Sequence, residues 1–136
     1  MRVFIGLPIP PGPAKIVAGI GNDLKTRYPG LSVSREEGLH VTLFFLGEQE
    51  PPLVQRLNNI LASADLPDRV IPARFGGLDA FPAAGNPRVI FAAFAEGGAA
   101  ATAFYRALDG ALREARFSFE REKRPFHPHV TVARNK

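Results

Sequence analysis

The tripeptide His-Val-Thr stands twice in this chain, at 40–42 and at 129–131, and each copy continues into apolar residues, Leu43-Phe44-Phe45-Leu46 and Val132-Ala133. The two copies hold two of the three histidines, and the third, His127, lies two residues before the second copy. A second copy of a given uncommon tripeptide arises by chance in roughly one chain in a hundred at ordinary residue frequencies. The repeat therefore constrains the fold to one that brings two equivalent strands, 89 positions apart, to a shared site. In a strand, residues i and i+2 share a face. His40 then projects with Thr42 and His129 with Thr131, while Val41, Leu43, Val130 and Val132 point into a core. Unbroken alternation also puts Phe44 on the His40 face, where its ring is a stacking surface for a base; the competing reading is a core or groove-wall phenylalanine.

Composition narrows the classes. At 136 residues with 46% hydrophobic and 22% charged side chains, the chain reads as one soluble domain, 1–136, with enough length for a core. The absence of cysteine excludes disulfides, thiolate metal sites and thiol catalysis. The N-terminal apolar stretch is broken by Pro8, Pro10 and Pro11, too soon for a signal peptide or a membrane span. A cytoplasmic location with no membrane partner is the default expectation. The net charge of +4 tolerates a phosphate-bearing partner without requiring one.

Periodicity sets out the elements. Arg2 to Ile9 reads as a strand. Ile16, Val17, Ile20, Leu24 and Tyr28 recur at helical spacing over 14–28, and Pro29-Gly30 stops that helix. Leu39 to Leu46 is a strand, approached by a polar stretch over 33–37. A helix follows over about 52–64, with Leu53, Leu57, Ile60 and Leu61 on one face. Val70 to Leu78 is a strand, 79–87 a loop and 88–95 a further strand. A third helix spans about 100–116 on Phe104, Leu108 and Leu112. The segment 117–128 is irregular and basic, and 129–134 is a last strand. The order is β-α-β-α-β-β-α-β, two halves that each place one His-Val-Thr strand after a helix.

Two imidazoles and two hydroxyls in one groove suit phosphoryl transfer without a metal. One imidazole takes a proton from the attacking oxygen and the other gives one to the leaving oxygen, both near neutral pH. Threonine hydroxyls donate to the non-bridging oxygens. The bland alternative for a single His-x-Thr is a half-buried polar strand face; the duplication, which takes nearly all the histidine, argues for a site. A second alternative is zinc held by His40, His127 and His129, a reading that leaves the paired threonines without a purpose. His127 alone reads as exposed or as a neighbour of His129. Arg121, Lys123 and Arg124 form a basic run that guides an RNA backbone or simply solvates a loop.

These residues resemble the 2H phosphoesterase superfamily, and within it the RNA 2′,3′-cyclic phosphodiesterase family, also called 2′-5′ RNA ligase. The resemblance covers almost the whole chain: Arg2-Val3-Phe4-Ile5-Gly6-Leu7 as opening strand, Gly38-Leu39-His40-Val41-Thr42-Leu43-Phe44-Phe45-Leu46-Gly47-Glu48 as first motif, Ala80-Phe81-Pro82 with Pro87-Arg88-Val89-Ile90-Phe91 as central segment, and Arg124-Pro125-Phe126-His127-Pro128-His129-Val130-Thr131-Val132-Ala133-Arg134 as second motif. It implies an α+β bilobal fold of two antiparallel sheets, helices packed outside, about a pseudo-twofold axis with a central groove. It implies His40 and His129 as the catalytic pair, Thr42 and Thr131 as phosphate ligands, and Arg134 near the phosphate. Strict alternation sends Arg134 to the opposite face, so that role requires a bulge or a twisted strand end.

The implied reaction is hydrolysis of a 2′,3′-cyclic phosphate on RNA or nucleotide ends to a 2′-phosphate, with no cofactor. His129 is assigned as base and His40 as acid; the pseudo-symmetry leaves the opposite assignment open. The same chemistry in reverse joins a cyclic end to a 5′-hydroxyl. The alternative class is a non-catalytic RNA-end or nucleotide binder that keeps the groove. The family pattern continues with a helix and strand beyond the point where this sequence stops, so the second lobe is expected to be short of strands, with an open edge that pairs with another copy of the chain.

Overall fold

The computed structural model describes residues 1–67 and 70–135. Its elements are β1 (Arg2–Pro8), α1 (Pro11–Arg27), β2 (Leu31–Val33), a 3-10 turn (Glu36–Gly38), β3 (His40–Glu48), α2 (Pro51–Ser63), β4 (Arg74–Phe81), β5 (Val89–Glu96), α3 (Gly98–Glu114) and β6 (His129–Asn135). Prolines open α1 and α2, where a missing N–H costs nothing and the ring presets φ for the helix. Gly97 opens α3 at φ +94, and a Cβ there would lie 2.7 Å from that of Ala73, so only glycine fits the turn.

The strands form one hydrogen-bonded sheet in the order β1-β3-β6-β5-β4, with β2 pairing the far end of β6. All pairings are antiparallel. This corrects the expectation of two separate sheets. The halves β1-β3 and β6-β5-β4 are joined through a single residue pair, Val41 opposite Val130, which is enough to make the ladder continuous.

One face of the sheet carries the core. Val41, Leu43, Phe44, Leu46, Ala92, Val130 and Val132 pack with Ala14 and Val17 of α1, Leu57 of α2, and Leu108 and Leu112 of α3. The helices therefore cover that face and leave the other open. The packing face of α1 differs from the expected stripe: Ala14, Val17 and Gly21 are buried, while Ile16 and Ile20 are exposed. Small residues let the helix approach closely, and a Cβ on Gly21 would stand 2.6 Å from Val33 Cγ1 and 3.2 Å from Val132 Cγ1. The helix is thus pressed against the strand that carries the second motif.

Three boundaries also move. β2 occupies part of what reads as a polar approach, because three residues suffice to pair with 133–135. β4 starts at Arg74, after Pro72, and continues to Phe81 through residues that read as loop. Its outward side chains leave little periodic signal beside Gly76 and Gly77.

Candidate active site

The two motifs meet at the Val41–Val130 pair, whose side chains are buried beneath the sheet. An antiparallel pair here sets Thr42 towards His129 and His40 towards Thr131, with all four side chains on the open face. The histidines, threonines and their strands are related as by a twofold axis through the valine pair.

Each imidazole is held in the same way. His40 Nδ1 lies 2.6 Å from the Gly38 carbonyl, and His129 Nδ1 lies 2.6 Å from the His127 carbonyl. A carbonyl only accepts, so each Nδ1 carries a proton and donates it. Each Nε2 is the ring nitrogen that this backbone contact leaves unengaged. An aromatic ring backs each imidazole: Phe4 of β1 stacks on His40 at 4.5 Å between centroids, and Phe91 of β5 lies 5.0 Å from His129. The symmetry breaks at Nε2, where that of His40 lies 2.9 Å from Thr42 Oγ1. It breaks also in environment: burial holds the His129 imidazole below its ordinary pKa, the charges of His127 and Arg134 push the same way, and the hydrogen bond to the His127 carbonyl opposes them.

Both motif strands are bulged one residue past the threonine. In β3 the register jumps from Thr42 opposite Gly6 to Phe44 opposite Ile5, leaving Leu43 unpaired. In β6 it jumps from Thr131 opposite Phe91 to Ala133 opposite Ile90, leaving Val132 unpaired. Each bulge reverses the alternation. Leu43 and Phe44 are both buried, as are Val132 and Ala133, and the next residue of each strand turns to the open face. Those residues are Phe45 and Arg134.

The groove therefore contains Phe45 and Arg134, at equivalent places, rather than Phe44 and a solvent-facing arginine. Phe44 is corrected from groove to core: it is 6% exposed and stacks on Tyr105, which stacks in turn on Phe126. That three-ring column ties the irregular 117–128 segment to the sheet, because Phe126 lines the groove. Arg134 lines both groove cavities, in the place that the bulge at Val132 makes available.

The cavities flank the four motif side chains. One, of about 470 Å³, runs past Phe45, Phe81, Phe91, Phe126, Arg124 and His127. The other, of about 230 Å³, lies towards Phe4, Ser34, Gly38 and His40. Thr42, Phe45, His129, Thr131 and Arg134 belong to both. Among the described residues, no group of three or more His, Cys, Asp and Glu is placed to hold a metal ion. The structure does not assemble His40, His127 and His129 into a ligand set.

Two supporting residues escape sequence reasoning. Ser34 donates from Oγ to the Thr131 carbonyl and from its backbone N–H to the Val132 carbonyl, both at 2.9 Å. It clamps the β6 bulge from the side. Gly6 faces His40, and a Cβ there would sit 3.0 Å from His40 Cδ2. A lone serine or glycine beside a strand has no periodic signature, so nothing in the sequence singles them out. Ser34→Ala is expected to lower the free energy of unfolding by about 1 kcal/mol, the usual worth of one hydrogen bond, with Ser34→Thr restoring part of it. Urea unfolding with an unchanged slope is the measurement; an unshifted midpoint would show that the bulge holds itself.

Paired His-Val-Thr strands at one ladder contact, on the open face of an antiparallel α+β sheet, are the arrangement of the two-histidine phosphoesterase class. The chain belongs to the 2′-5′ RNA ligase superfamily, whose family model matches residues 13–136. An RNA 2′,3′-cyclic phosphodiesterase of Aeropyrum pernix is 37% identical over 110 residues, covering 74% of this chain and 55% of that protein. Its counterpart in Thermus thermophilus is 41% identical over 103 residues, covering 72% and 50%. The chain thus spans about half the length of these curated relatives. The crystal structure of TT0787 of Thermus thermophilus superposes with a TM-score of 0.77 at 27% identity, covering 99% of this chain and 74% of that one. Among the described residues no helix is long and apolar enough to cross a membrane.

Proposed function

We propose that residues 1–136 act as one metal-independent phosphoesterase unit that hydrolyses the 2′,3′-cyclic phosphate of RNA or nucleotide ends to a 2′-phosphate. The observation that carries this reading is the matched pair of imidazoles, each with Nδ1 tied to a carbonyl two residues back and Nε2 turned to a common groove. Such a pair supplies one base and one acid without a metal.

The unequal environments support a direction. His129, held neutral by burial, takes a proton from water at Nε2 as the water oxygen attacks phosphorus. His40, as the acid, gives a proton from Nε2 to the 3′ oxygen as the P–O3′ bond breaks. Before substrate arrives, His40 Nε2 is in hydrogen-bond contact with Thr42 Oγ1, 2.9 Å away. The products are a 2′-phosphate and a free 3′-hydroxyl, with the proton returned from His129 to His40 through solvent. Thr42 and Thr131 donate to the non-bridging oxygens, and Arg134 offers its planar fork to the same group. The base stacks in the larger cavity among Phe45, Phe81 and Phe126. Replacing water by a 5′-hydroxyl gives the 2′-5′ joining reaction.

The test is incubation of the protein with a nucleoside 2′,3′-cyclic phosphate in the presence of a chelator, with the product identified by phosphorus NMR. A 2′-phosphate is the expected result. Binding without turnover, or a 3′-phosphate product, overturns the reading, and turnover abolished by the chelator overturns its metal independence. The partner reading extends to β4, an edge of the sheet with Leu78 exposed. Edge pairing with a second copy is expected to appear as a dimer mass in light scattering, and a monomer at working concentration rejects it.

A further inference from the structure

Resting on the phosphodiesterase reading, we infer that Arg124 and His127 form a second phosphate site. It takes the phosphate on the 5′ side of the terminal nucleoside, so the groove prefers RNA ends and 5′-phosphorylated nucleotides over cyclic nucleosides that lack that group. The reacting phosphate is already served by two imidazoles, two hydroxyls and Arg134. Arg124 and His127 line the same cavity as His129, Thr131 and Arg134, and the reaction uses neither of their side chains.

Both are pre-placed. The Arg124 guanidinium lies over the Phe81 ring, 4.3 Å from its centroid. Stacking fixes its plane and leaves the N–H edge for an anion. Among the described residues Arg124 makes no salt bridge with a carboxylate. His127 is held by its own backbone, whose carbonyl accepts the His129 Nδ1 proton. Its ring packs edge-on against Phe91 at 5.6 Å. An imidazole presents an N–H donor in either protonation state, so His127 serves a phosphate oxygen without a change of charge. Glu122 is the carboxylate in this lining, and the guanidinium groups of Arg124 and Arg134 outweigh it.

The His127 and His129 rings are 5.9 Å apart between centroids, so the second site lies beside the reacting centre without coinciding with it. The terminal base then rests against the phenylalanines of the cavity.

The experiment compares a nucleoside 2′,3′-cyclic phosphate with the same compound carrying a 5′-phosphate, for the wild type, Arg124→Gln and His127→Ala. The 5′-phosphate is expected to raise wild-type kcat/KM by at least about ten-fold, through KM, the scale of one charge-assisted hydrogen bond. The ratio is expected to collapse towards one in both variants. The preference of the wild type is also expected to weaken with added salt. A wild-type ratio near one overturns the inference whatever the variants do, and so does a ratio that survives both substitutions. Turnover of neither compound would bring down the phosphodiesterase reading and this inference together, whereas equal turnover of both removes the inference alone.

Discussion

His129→Ala is expected to lower turnover of a 2′,3′-cyclic nucleotide by at least ~100-fold, the usual scale for losing a general acid or base. His40→Ala is expected to do the same, and the double variant little worse than either, because the two groups act in one step. The pH profile separates them. Wild-type kcat/KM should be bell-shaped, falling at low pH as the base protonates and at high pH as the acid is lost. Because burial lowers the His129 pKa, its neutral form persists below the ~6.5 of an ordinary imidazole. The acid limb should therefore fall below that value, and it should vanish from the residual activity of His129→Ala. Residual activity of His129→Ala that keeps the acid limb would hand the base role to His40. Wild-type rates in either single variant would end the acid–base account altogether.

The second large effect belongs to Arg134. Arg134→Leu is expected to reduce kcat/KM by ~10- to 100-fold, matching the 1.5–3 kcal/mol of a hydrogen bond to a charged group. Its stability should change little, since the side chain is exposed. Arg134→Lys should recover only part of the loss, because a point charge cannot replace the bidentate fork. The reasoning depends on the bulge at Val132. Without it Arg134 would leave the groove, and its removal would be silent. Steady-state rates for the three proteins decide the matter; an unaffected kcat/KM in Arg134→Leu excludes it from phosphate binding.

What sequence reasoning captures and misses follows from where the physics is local. The His-x-Thr faces are legible because a period of two holds over three residues, and three residues are too few for register to slip. One step further the period fails. Leu43-Phe44-Phe45-Leu46 is apolar throughout, so no hydrophobic pattern marks the bulge at Leu43, and alternation carried across it selects Phe44 in place of Phe45. The same fault in β6 works in the opposite direction: alternation excludes Arg134, and the bulge restores it. The stripe of α3 is readable because Leu108 and Leu112 are large and fully buried. That of α1 is not, because its contact face uses Ala14 and Gly21, residues that carry no hydropathy signal. The join at Val41 and Val130 depends on a contact between distant parts of the chain, and no local pattern reports it.

That join has a consequence for how the protein tolerates change. The four His and Thr side chains of the two motifs flank one pair of buried valines, so the distances among their backbones are dictated by bond lengths and ladder geometry. Damage to the periphery, such as a loosened α2, should subtract from the number of working molecules and leave the rate of each survivor intact. Catalytic capacity and folded population would then drift independently, and the chemistry would be the last property lost as the scaffold wears.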